Sequence, residues 1–156
     1  MTTITPDEMK SLETLFMSET GTPSILLMEH AAQGVAAAIS RHAPKSARVL
    51  FLCGPGNNGG DGYAAARLWC LRGGQADVWE VTSAVRGDAL TNRTLALLHG
   101  VRVLPSADAV DVAEYAAVVD ALYGTGLNHA IEGDAAILIH RLNDHPQIPV
   151  IAVDIP

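Results

Sequence analysis

Three segments of this chain hold the residue types that proton-transfer and phosphate chemistry need. They are Gly54-Pro55-Gly56-Asn57-Asn58-Gly59-Gly60-Asp61-Gly62, the stretch from Asp120 through Gly124-Thr125-Gly126-Leu127-Asn128-His129-Ala130 to Gly133, and Asp154-Ile155-Pro156. Each supplies one carboxylate of a set, Asp61, Asp120 and Asp154. A positioned carboxyl group can donate and recover a proton, an effect worth about 10²–10⁴-fold in rate. Loop 54–62 has no Lys or Arg and loop 121–133 offers only His129. A phosphate here would therefore be held mostly by backbone N–H groups and helix N-termini. The three carboxylates make the crevice negative. A bound cation would offset that, and oxygen ligands without thiolates suit a hard one.

The first segment also contains G-x-G-x-x-G, as Gly54, Gly56 and Gly59, with Glu80 placed 21 residues further on. That is where a dinucleotide fold puts its ribose-binding acid, so an NAD-dependent dehydrogenase module is the competing reading. Against it, Asp61 sets a negative charge at the helix start where the pyrophosphate should lie. The paired Asn57-Asn58 and doubled glycine also exceed a tight pyrophosphate turn, and the chain lacks a catalytic domain with a His or Tyr acid. No Lys follows the glycines, which excludes a Walker A loop. Plainer roles stay open for each residue. Asp61 can be an N-cap, Asn58-Gly59 a turn dipeptide, and Asp120 and Asp154 strand ends that bond the following turn. Glu29 can be a solvated or capping helix residue. Cys53 reads as a packed thiol, and the six histidines show no spacing that supports zinc.

The elements that must position these segments alternate. Short apolar runs are expected as strands at Val49–Cys53, Ala76–Val81, Val101–Leu104, Ala117–Asp120 and Pro149–Val153. Helices are expected from the end of the glycine-rich loop to about Arg72, and over roughly Asp88–His99 and Asp134–Asn143, with a short helical turn at Asp111–Tyr115. This is the pattern of βαβ units around a parallel sheet. Two helices precede them. The first opens with Thr5-Pro6-Asp7-Glu8, a capping box with proline at the first helical position, and gathers Met9, Leu12, Leu15 and Phe16 on one face. The second follows Gly21-Thr22-Pro23 and carries Leu27, Met28, Ala31, Ala32, Val35 and Ile39. The polar segments follow the first, fourth and fifth strands. If the first and fourth are neighbours where the strand order reverses, all three converge on one crevice.

The 156 residues, 49% hydrophobic and 17% charged, fit one domain with a real core and exclude a disordered segment. A net charge of −7 argues against nucleic-acid binding. No apolar run is long enough for a bilayer. The N-terminus is not a signal peptide, and two lone cysteines read as thiols, so a cytoplasmic location is expected.

Leu27-Met28-Glu29, Asn57-Asn58-Gly59-Gly60-Asp61-Gly62, Asp120-Ala121-Leu122-Tyr123-Gly124-Thr125-Gly126-Leu127 and Val153-Asp154-Ile155-Pro156 together resemble the NAD(P)H-hydrate epimerases, the YjeF N-terminal domain family. The resemblance spans nearly the whole chain. It implies a Rossmann-like three-layer α/β/α sandwich with a mostly parallel sheet, and interconversion of the R and S hydrates of NADH and NADPH. It implies potassium held by Asn58 and Asp120. Substrate contacts are implied at Asn57, Asn58, Gly59, Gly60, Asp61, Gly124, Thr125, Gly126, Leu127, Asn128, His129, Ala130 and Asp154, with Asp154 as the catalytic group. It also implies an ADP- or ATP-dependent dehydratase, fused or separate, as functional partner. A homodimer is expected from the apolar first helices. The family motif continues past Asp-Ile-Pro with Ser-Gly, so residues 1–156 are expected to be a single such domain shortened at its C-terminus. The family usually has an Arg where Asn128-His129 stand, which bears on how a ligand phosphate is held. Non-catalytic dimerisation or protein-binding modules of the same fold are the third reading.

Overall fold

The computed structural model describes residues 4–128 and 130–154, apart from the side chain of Pro6. Two helices lead, α1 over Pro6–Thr20 and α2 over Ser24–His42. Then come β1 (Arg48–Cys53), α3 (Asn57–Leu71), β2 (Gln75–Glu80), α4 (Gly87–Leu98), β3 (Arg102–Val103), two single 3₁₀ turns, β4 (Ala117–Ala121), α5 (Gly133–Asn143) and β5 (Val150–Ala152). The expected capping box is formed. Thr5 Oγ1 accepts from the Glu8 N–H at 3.2 Å, while the Glu8 carboxylate accepts from the Thr5 N–H at 2.7 Å. Gly21, at φ 68°, ends α1 in the left-handed conformation.

The five strands form one sheet in the order β3-β2-β1-β4-β5, with every pairing parallel. The order reverses between β1 and β4, as the convergence argument requires. The central strands are apolar because both faces are covered. Val49, Phe51, Cys53, Val78, Ala117 and Val119 face α2, α3 and α4, with Tyr63 and Trp69 filling that layer. Leu50, Leu52, Trp79 and Val118 face α5 and the 3₁₀ turns. β3 is shorter than expected, because Val101 and Leu104 pack as flanking core residues and only Arg102–Val103 pair with β2.

Two carboxylates on β2 are tied by long-range ion pairs. Asp77 is buried and accepts from Arg102 and from the Tyr115 hydroxyl at 2.9 Å. Glu80 accepts from Arg93 at 2.7 and 2.8 Å and from the Tyr63 hydroxyl at 2.7 Å. The guanidinium and phenol partners outweigh desolvation and hold both carboxyls below the usual range. Among the described residues no helix is long and apolar enough to cross a membrane.

Candidate active site

The loops after β1 and β4 meet at the reversal. The Gly54 N–H donates to the Ala121 carbonyl at 2.9 Å, and a Cβ on Gly54 would stand 1.6 Å from the Leu122 carbonyl oxygen. The Val153 N–H donates to the Asp120 carbonyl at 2.9 Å, which brings the exit of β5 alongside. All three polar segments thus share one sheet edge.

The first segment differs from its expected form. Only Gly54-Pro55-Gly56 is a connection, and α3 begins at Asn57 with Gly56 as its N-cap. Asp61 therefore lies inside the helix, at its fifth residue, and caps nothing. None of the glycines from 54 to 62 has a positive φ. At Gly54, Gly59, Gly60 and Gly62 a Cβ would collide with its surroundings, whereas Gly56 has open space. A Cβ on Gly59 would stand 1.9 Å from the Gly54 carbonyl oxygen, so the start of α3 rests directly on the backbone leaving β1.

Asn57, Asn58 and Gly59 occupy the first turn, whose N–H groups have no partner within the helix. The Asn58 Nδ2 atom is buried without a hydrogen-bond partner. An asparagine amide presents nitrogen or oxygen at nearly the same place when turned over, so this position can offer a buried oxygen to a cation. Asp120, half-buried near the end of β4, accepts from the Leu122 N–H at 3.1 Å through Oδ1. Among the described residues no three His, Cys, Asp or Glu side chains gather as a metal site.

Asp61 and Asp154 face the same crevice in different settings. Asp61 is pushed up to about 7 by burial first, then by the charges of Glu13 and Asp154. Asp154 is exposed, and its Oδ2 accepts from the Thr125 N–H at 2.9 Å. A Cβ on Gly124 would stand 2.5 Å from that oxygen, so glycine is what lets the β4 loop reach it. Residues 124–127 close as a turn, the Leu127 N–H donating to the Gly124 carbonyl at 3.1 Å, with Gly126, Leu127, Asn128 and Ala130 exposed at the mouth. His129, Ile155 and Pro156 lie outside the described residues. Glu13 was not legible as a site residue, because it arrives from α1 with no local signal.

Two motif residues take structural roles. Glu29 pairs with Arg67 and ties α2 to α3. Cys53 is fully buried, and burial raises its thiol well above the ordinary value, so it is a packed core residue. Glu80 is bound to Arg93 and Tyr63, which removes the acid that a dinucleotide-type ribose contact would use.

The family described as YjeF-related protein N-terminus matches residues 24–156. The chain belongs to this family. It is 35% identical to an NAD(P)H-hydrate epimerase of Rhodopirellula baltica, covering 98% of this chain and 64% of that protein. It is 37% identical to a bifunctional NAD(P)H-hydrate repair enzyme Nnr of Thermanaerovibrio acidaminovorans, over 87% of this chain and 28% of the relative. The chain thus spans less than two thirds of either relative's length. A crystal structure of yeast YNL200c superposes with a TM-score of 0.86 at 24% identity, over all of this chain and 71% of that one. That likeness establishes the shared fold.

Proposed function

We propose that this chain interconverts the R and S hydrates of NADH and NADPH in nicotinamide-nucleotide repair. The relatives' names support the substrate class. The observation that carries the chemistry is the pair Asp61 and Asp154, one carboxyl held protonated up to about 7 and one exposed and bonded to the Thr125 N–H. Epimerisation at the hydrated ring carbon requires its C–O bond to break and re-form on the opposite face. Asp61 gives its proton to the departing hydroxyl, which leaves as water while the ring nitrogen lone pair flattens the carbon into a cation. A water on the other face attacks, and Asp154 takes its proton. Asp154 then releases its proton to solvent and Asp61 takes one up, which restores both groups with no net proton consumed.

Potassium is part of this reading. The residues fit it, since the Asn58 Nδ2 atom is buried without a partner in the first turn of α3 and Asp120 keeps a second carboxylate oxygen. Asn58 and Asp120 would hold the ion, and its charge would offset the carboxylates around it. Asp120→Asn should raise the potassium concentration needed for turnover. Potassium should raise the melting temperature more than sodium does, and equal shifts would count against the ion. We further read the protein as a cytoplasmic homodimer acting with a dehydratase; the Thermanaerovibrio relative, a longer protein, is named a bifunctional NAD(P)H-hydrate repair enzyme.

The direct test mixes the protein with the R hydrate of NADH in neutral potassium buffer and follows the diastereomers by chromatography. Faster equilibration than in buffer is expected, and Asp154→Asn should slow it by about 10²–10⁴-fold. Equilibration no faster than buffer overturns the proposal.

A further inference from the structure

Beside the crevice, at the C-terminal ends of β2 and β3, lies an open cleft of about 560 Å³. Trp79, Leu104 and Tyr123 supply its apolar wall, Ser83 and Ser106 its hydroxyls, and Glu132 and Asp134 line its rim at the start of α5. Among the described residues, no Lys, Arg or His lines it. We infer that this cleft takes the adenosine half of the dinucleotide and that its charge selects NADH hydrate over NADPH hydrate. The inference rests on the epimerase reading above and assigns the end of the substrate remote from the chemistry.

The topology gives the direction. A doubly wound sheet holds the two halves of a dinucleotide on either side of its reversal point. Asp120 lies next to the end of β4 and Asp154 follows β5, so the reacting ring belongs to the β4/β5 side. The other half must cross β1 toward β2 and β3, where the cleft opens. The two spaces share a wall, because Tyr123 lines the cleft while the adjoining Gly124 and Thr125 meet Asp154. The cleft falls in the range of small-ligand sites, roughly 300–1,000 Å³. Tyr123, half-buried in the cleft wall, supplies the aromatic side chain for a purine, and the buried Trp79 backs that wall because side chains alternate along β2. Trp79 points to the α5 side. Glu80 turns its carboxylate to Tyr63 of α3 and Arg93 of α4.

The same alternation fixes the charge. NADPH differs from NADH by a phosphate on the adenosine ribose, carrying about −1.5 to −2 at neutral pH. In dinucleotide folds an arginine near the end of the second strand accommodates it. Here the nearby arginine, Arg93, is consumed by both Glu80 oxygens. The start of α5 would otherwise attract an anion with about half a charge. Glu132 and Asp134, both exposed there, reverse its sign. A 2′-phosphate in the cleft meets two carboxylates and no counter-cation among the described residues.

Two measurements test this, one of them independent of turnover. Calorimetric titration with adenosine 5′-monophosphate and adenosine 2′,5′-bisphosphate should show tighter binding of the monophosphate by about tenfold at low salt, narrowing as salt rises. Glu132→Lys with Asp134→Lys, both at exposed positions, should invert the order. No binding of either nucleotide at millimolar concentration, or equal or tighter binding of the bisphosphate by the unaltered protein, overturns the inference. In the second measurement, kcat/KM for NADH hydrate should exceed that for NADPH hydrate by a similar factor. A ratio of one, unmoved by the double variant, overturns the inference and leaves the epimerase standing. Absence of turnover with both hydrates sinks the epimerase reading instead, while the titration still decides whether the cleft binds adenosine.

Discussion

Asp61 is a carboxyl kept neutral by its surroundings, and two measurable consequences follow with opposite signs. In the folded chain it holds its proton up to about 7, whereas its ordinary value is 3.8. Between those values the folded state binds more proton than the unfolded one, so stability falls as pH rises through that window and the loss is complete above it. The loss is on the order of 3 kcal/mol. Asp61→Asn is neutral at every pH. Urea titrations should therefore find the variant more stable than the parent at pH 8 and equal to it near pH 3. Activity should move the other way. Turnover of the parent should decline above about pH 7 as Asp61 ionises, and the variant should lose about 10²-fold or more at all pH values because it has no proton to give. A variant that gains no stability at pH 8 would show that folding does not raise the Asp61 pKa.

At the level of elements, the join between α3 and the sheet is where strain would concentrate. Gly59→Ala would place its Cβ 1.9 Å from the Gly54 carbonyl oxygen. Both partners are backbone, so α3 must shift, and a loss of about 1–3 kcal/mol or more is expected in chemical denaturation. Glu29→Ala should cost about 1–3 kcal/mol by leaving the Arg67 guanidinium, 11% exposed, without its partner. The strand runs, the α1 capping box and the converging loops were all legible in the sequence because each is written in local residue pattern. The helical course of Asn57–Gly62 was not. Asparagine and glycine are poor helix formers, and the reason for glycine at 59 and 62, close packing of α3 on Gly54 and Ala121, is a tertiary constraint with no local trace. The same holds for Glu80 with Arg93 and Asp77 with Tyr115. Their partners are separated by 13 and 38 residues, and either acid alone reads as an available site residue. The convergence of the polar segments on one sheet edge was readable from strand order, but the burial that sets Asp61 apart from Asp154 comes only from packing.

At the scale of the whole molecule, α1 is the helix whose apolar face is left largely open among the described residues. Met9, Leu12, Leu15 and Phe16 are 46%, 52%, 51% and 46% exposed. A single 15-residue helix is marginal on its own in water, and a contiguous apolar stripe of this kind marks an interface. A second copy laying its own α1 against this one would bury both stripes by a two-fold contact, the commonest arrangement for soluble oligomers. The same helix carries Glu13, whose charge helps to hold the proton on Asp61. Assembly and acid strength should therefore be linked. Light scattering at micromolar concentration should give twice the 16.4 kDa of one chain, and Leu12→Glu with Phe16→Glu should reduce it to one. If the helix then loosens, Glu13 withdraws from Asp61 and its pKa falls. The alkaline limb of the rate profile should move to lower pH in that monomer, and Glu13→Gln in the intact dimer should move it the same way. A monomer whose limb stays in place would separate assembly from the acid and leave α1 as an interface alone, whereas an unaltered protein that scatters as a single chain would remove the dimer itself.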